Sequence, residues 1–114
     1  METWEISDPK VQYILDNYLD KIKQAFAPAE IWLWGSRIYG QPGDYSDVDM
    51  ILVSPKFEGI GFYERRRLFR EATGIARDPQ AEIVDVLCYT PEEFAAKTSS
   101  PTIVREAVEK GVSV

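Results

Sequence analysis

Behind Ser7-Asp8-Pro9, apolar residues recur at three- and four-residue steps: Val11, Ile14, Leu15, Tyr18, Leu19, Ile22 and Phe26. That spacing matches the turn of an α-helix and predicts one long helix with a single buried face. Ser7-Asp8-Pro9 supplies its start, a side-chain cap followed by proline in the first turn, and Pro28 marks its end. The pattern then changes. Ile31-Trp32-Leu33-Trp34 is a short apolar run closed by Gly35-Ser36, and it reads as a buried strand. A polar, glycine-bearing loop follows from Gln41 to Ser46. Asp47 to Val53 reads as a second strand, stopped by Ser54-Pro55.

A helix is predicted from roughly Phe62 to Ala76, with Leu68, Phe69, Ala72 and Ile75 turned inward. Ala81 to Tyr89 reads as the third strand. Thr90-Pro91-Glu92-Glu93 combines a cap, a proline and early acids, and so starts a helix. Ser100-Pro101 starts another, carrying Ile103, Val104, Ala107 and Val108 and ending at Gly111. Strands interleaved with helices predict an α/β (α+β) domain with helices against a small sheet.

At 114 residues the chain is read as one domain, 1–114, with 45% hydrophobic residues to form its core. The net charge of −6 argues against non-specific nucleic-acid binding, which depends on Lys and Arg neutralising phosphates. There is no histidine, so any general base must be a carboxylate, lysine, tyrosine or the thiol of Cys88. A lone cysteine excludes an internal disulfide and a thiolate zinc cluster. No apolar run approaches the ~20 residues of a membrane span, and the first five residues lack the character of a signal peptide. A soluble, cytoplasmic protein is the expectation.

The acids carry the candidate chemistry. On a strand, Asp47 and Asp49 point to the same face, in a row continued by Ile51 and Val53. Two carboxylates side by side repel and favour a cation between them, and magnesium takes carboxylate oxygens together with substrate phosphates. Asp85 stands amid Ile83-Val84 and Val86-Leu87, where a carboxylate needs a partner or a metal. Either it completes a three-carboxylate metal site from a neighbouring strand, or it pairs with an Arg or Lys. An EF-hand loop beginning at Asp47 fails, because Ile51 and Leu52 fall where a ligand and a glycine are needed. Gly35-Ser36, after a strand and before a helix-competent segment, offers backbone N–H groups and a hydroxyl to an anion such as a triphosphate tail. Taken alone it reads first as a plain turn, and it is no Walker A loop.

Together these parts are more specific. Gly35-Ser36-Arg37-Ile38-Tyr39-Gly40, five intervening residues, then Ser46-Asp47-Val48-Asp49-Met50 resembles the signature of the DNA polymerase β nucleotidyltransferase superfamily. The chain looks most like its minimal, stand-alone members, the MNT domains, over roughly residues 9 to 111. The resemblance implies a mixed sheet with helices packed mainly on one side. It implies that Gly35 and Ser36 cradle the triphosphate, that Asp47 and Asp49 hold two magnesium ions (manganese substituting), and that Asp85 completes the metal site and helps deprotonate the acceptor. Ser46 would orient the acidic strand. Ile38-Tyr39 stands where many members carry Ala-Arg, which removes one positive contact; Arg37 either supplies charge to the nucleotide or pairs with Asp44.

The expected reaction moves a nucleoside monophosphate, AMP from ATP, to a hydroxyl. Resembling MNT domains are often paired with helical HEPN-type toxins, which they adenylylate on tyrosine, and the chain offers little material for a second substrate-binding lobe. A partner-protein tyrosine is therefore the expected acceptor. Transfer to a small molecule or an RNA end, or a nucleotide-binding antitoxin acting without catalysis, are the alternatives, and self-association stays open. Arg65, Arg66, Arg67 and Arg70, preceded by Lys56, form a basic cluster that reads first as a helix surface paired with Glu64 and Glu71, and second as a patch for triphosphate, an acidic partner or RNA. Trp4, Trp32 and Trp34 read as packing, and Cys88 as buried filler.

Overall fold

In the computed structural model, residues 6, 8–41, 43, 47–81 and 84–114 are described. Helix α1, Pro9–Ala25, is capped by Asp8, whose carboxylate accepts from the amides of Lys10 and Val11. All seven apolar positions expected to face inward, from Val11 to Phe26, are buried. Strand β1, Glu30–Trp34, leads through Gly35 into one helical turn, α2, Ser36–Tyr39. Strand β2 is Val48–Val53, helix α3 is Phe62–Thr73, and strand β3 is Val84–Tyr89. Helix α4, Pro91–Thr98, opens on the Thr90–Glu93 capping box. Helix α5, Ile103–Lys110, precedes a two-residue strand β4, Val112–Ser113. Among the described residues no helix is long and apolar enough to cross a membrane.

The four strands form a mixed sheet in the order β3-β2-β1-β4, with β2 parallel to β3 and the β1 pairings antiparallel. The β2–α3–β3 connection is the crossover that a parallel pair requires. One face carries the larger core, where Leu33, Met50, Leu52, Val86 and Cys88 meet the buried side of α1 and Phe69 of α3. The other face carries a smaller cluster, in which Ile51, Val53 and Tyr89 meet Val104 and Ala107 of α5 and Phe94 of α4.

Three local expectations are corrected. Asp47 precedes β2, whose ladder begins at Val48. The inward stripe of α3 is Arg65, Phe69 and Thr73 at four-residue steps, while Leu68 and Ala72 are exposed. Arg65 supplants an apolar residue because every nitrogen of its guanidinium is engaged: it donates to the carbonyls of Ile60 and Cys88 and forks onto Glu93 at 2.6 and 3.2 Å. The cap of α5 is Thr102, whose hydroxyl accepts from the Arg105 amide, and Ile103 beside it is exposed. Gly111 ends α5 as expected, and it also feeds β4, which pairs with β1. A Cβ at Gly111 would collide with the carbonyl oxygens of Leu33 and Ala107, so only glycine allows that approach.

Candidate active site

Three strand ends converge at one edge of the core: β1 finishes at Trp34, while β2 and β3 begin at Val48 and Val84. The antiparallel register sets Trp34 opposite Asp49, and the parallel register sets Asp49 opposite Asp85. Paired strands lie ~4.8 Å apart, so two carboxylates rise from adjacent strands toward the same face. By alternation that face is the one Ile51 and Leu87 share with α4 and α5. Burial, followed by the charges of Asp85 and Asp47, pushes the Asp49 carboxyl up to about 6. Asp47 therefore acts on Asp49 through its field while standing exposed one residue before the strand.

The phosphate-turn candidate abuts this pair. Gly35 has φ 90° and ψ −169°, and a Cβ there would collide with Oδ2 of Asp49. Glycine is thus required twice, for the positive φ and for the closeness of its backbone to the carboxylate. The Gly35 carbonyl accepts from the amides of Ile38 and Tyr39, and the Ser36 carbonyl from Gly40, which closes the turn α2. Tyr39 donates from its hydroxyl to Glu106 at 2.8 Å and so ties α2 to α5. Burial, that hydrogen bond and the field of nearby acids, Asp49 among them, raise the Tyr39 phenol.

The remaining candidates separate. The Arg37 side chain is 6% exposed, and it donates to Asp8 at 2.9 Å and to the Gly43 carbonyl at 3.3 Å. The same Asp8 caps α1. Burial works to raise its carboxyl, but the Val11 and Lys10 amides and Arg37 together hold it below the ordinary value. Ser46 lies outside the described residues, as do Asp44 and Trp4. Trp32 and Trp34 are half-buried in the smaller cluster, and burial pushes the Cys88 thiol up to about 12, consistent with filler. The basic cluster divides: Arg65 braces the interior, Arg67 bridges Glu64 and Glu71 on the surface, and Arg66 reaches Asp85, Nη2 to Oδ1, at 3.3 Å. Both readings of Asp85 therefore meet in one residue, with an arginine partner in place and a second carboxylate across the ladder. Periodicity could not have found Arg66, because the contact passes from α3 to β3.

The donor set suits a hard divalent cation in kind: two carboxylates in register, like charges that a cation would relieve, and a third acid close enough to be felt. Among the described residues, however, no three acids are gathered into a ready metal cluster. Asp49 and Asp85 form the core of the arrangement, and Asp47 stands apart from it.

A concavity of about 350 Å³ between Pro9, Lys10, Tyr13 and Pro79-Gln80 is lined by none of these acids. It is shaped by α1 and the segment after α3, which Tyr13 and Tyr18 fasten together through Asp78 at 2.6 Å each.

The fold is similar to that of a Sulfolobus solfataricus protein assigned to the nucleotidyltransferases, at 16% identity over 98% of this chain and 87% of that one, with a TM-score of 0.60. A BolA protein homologue from Coxiella burnetii aligns over 67% of this chain and 88% of its own, at 22% identity and a TM-score of 0.47, too slight a similarity to imply a common fold. No curated protein sequence matches. The nucleotidyltransferase domain family matches residues 15–114, a span that holds β1, the Gly35 turn, the Asp49–Asp85 pair and every element after α1. That description implies a nucleoside triphosphate as substrate, and such domains generally use divalent metal ions. With the match covering nearly the whole chain and the acids standing where the strands bring them, the chain belongs to the nucleotidyltransferase domain family.

Proposed function

We propose that the domain transfers AMP from ATP to a hydroxyl of a partner protein, a tyrosine of a helical HEPN-type toxin. The observation that carries the transfer reading is the register of Asp49 against Asp85 beneath the Gly35 turn. Gly35 and Ser36 hold the triphosphate tail through backbone N–H groups and the hydroxyl. Asp47, Asp49 and Asp85 would hold two magnesium ions, which would neutralise the phosphates and stabilise the entering and leaving oxygens. Asp85 takes the proton of the acceptor hydroxyl. The freed oxygen forms its bond to the α-phosphorus, the bond from the α-phosphorus to its bridging oxygen breaks, and pyrophosphate leaves. With no histidine in the chain, a carboxylate base is in keeping with the composition. Arg37, paired with the Asp8 that caps α1, ties the turn to that helix.

Two features support a macromolecular acceptor. Asp47 is exposed and the Asp85 side chain is 47% exposed, so the acids are reachable from outside without a deep pocket. The net charge of −6 disfavours an RNA end relative to a protein. The test incubates the chain with labelled ATP, magnesium and its co-purifying partner, then locates label by mass spectrometry. Label on a partner tyrosine that is lost with Asp49→Asn supports the reading. Label confined to a small molecule or RNA overturns the acceptor while keeping the transfer.

A further inference from the structure

The arginines of α3 invite a common reading as a basic patch, yet their geometry gives each a different task. Arg65 is buried and Arg67 is paired with acids of its own helix. Arg66 turns over β3 and reaches a residue of the candidate active site. Its Nη2 stands 3.3 Å from Oδ1 of Asp85, and the two side chains are 38% and 47% exposed. Asp85 is the strand partner of Asp49, whose carboxyl feels the repulsion of Asp85. Arg66 thus supplies positive charge to the outer member of a self-repelling pair.

We propose that Arg66 is a positioning residue and a built-in competitor of the site's divalent cation: it holds Asp85 by its guanidinium and yields it when the cation enters. The inference rests on the metal-assisted transfer reading above. A guanidinium bonded to Oδ1 and a divalent ion on the same carboxylate would stand within a few ångströms of each other, where like charges repel. One of them must give way. Because both partners are substantially exposed, the ion pair is weak enough to open. Magnesium also demands near-octahedral geometry at ~2.1 Å from each oxygen, so Asp85 must be free to reorient. Arg66 therefore raises the cation concentration at which the site fills, and its release accompanies filling.

The experiment titrates the full chain with Mn²⁺ alone, reading free Mn²⁺ by its electron paramagnetic resonance signal, for native protein, Arg66→Gln, Arg66→Lys and Arg67→Gln. Arg66→Gln should lower the Mn²⁺ Kd about threefold or more, and Arg66→Lys, which keeps the charge without the fork, should fall between it and native. Arg67→Gln removes the same charge from the same helix and should leave the Kd unchanged. Tight and equal binding by native and Arg66→Gln, weaker binding by Arg66→Gln, or equal tightening by Arg67→Gln overturns the role of Arg66 and leaves the metal reading standing. Absence of Mn²⁺ binding by every variant overturns both.

Discussion

Asp49 and Asp85 face each other in register across the parallel pair β2–β3, and Gly35 is pressed against Asp49 so closely that no side chain fits between them. One relationship comes from strand pairing and the other from a turn, and together they join the acidic pair to the candidate phosphate turn.

The raised Asp49 carboxyl has a consequence for stability. Its value is about 6 in the fold against 3.8 for the free group, so between those limits the folded state holds a proton that the unfolded state has lost. Stability therefore falls as pH rises through that window, and the cost persists above it. Thermal melts of native protein and Asp49→Asn should show the variant gaining on native between pH 4 and 6 and holding its lead at pH 7.5. Subtracting native from variant removes the opposite dependence of Asp8, Asp78 and Glu93, whose carboxyls are lowered and whose stabilisation disappears at acid pH. A constant difference across the window would show that Asp49 titrates normally.

Gly35→Ala should impair folding and function together. The substitution forces a Cβ onto φ 90° and into Asp49, which costs about 1–3 kcal/mol. Nucleotide affinity should fall at least tenfold, whereas Gly59→Ala, also at positive φ but with open space around it, should leave binding intact. Isothermal titration with ATP distinguishes the two.

Arg65 should matter to stability more than its place in an arginine run suggests. Its removal strands the Ile60 and Cys88 carbonyls and Glu93. Arg65→Ala should cost about 2–3 kcal/mol in urea unfolding, because two carbonyls lose a charged donor. Glu93→Gln should cost less than half as much, because the Glu93 side chain is 42% exposed.

Most of the architecture was legible because strong periodicity carries it. The face of α1 and the Asp8 cap follow from local spacing alone, and so do the strand assignments that set Asp49 and Asp85 on rows of one face. Features made by contacts distant in sequence were not legible. Strand β4 is two residues long and exists because Gly111 lets the chain lie against β1. The α3 stripe was misread because Arg65 is buried by partners 23 and 28 residues away. The identification of Asp47 as a strand residue failed by one position, and a strand boundary is where pattern carries least information.

Asp85→Asn should separate binding from chemistry. It lies on the outer strand of the pair, partly exposed, and the transfer reading gives it the acceptor side. The rate of transfer should fall by orders of magnitude while ATP affinity stays within a few fold of native. Transfer at a near-native rate would leave Asp85 as an ion-pair residue for Arg66.

The most direct test of the account is calorimetric titration of ATP, with and without Mg²⁺, into native protein and Asp49→Asn. The pairing of Asp49 with Asp85 beneath Gly35 requires binding that depends on both the metal and the acid, so only native protein with Mg²⁺ should bind ATP well. Equal binding in all four combinations would contradict a metal-dependent nucleotidyltransferase site at these residues.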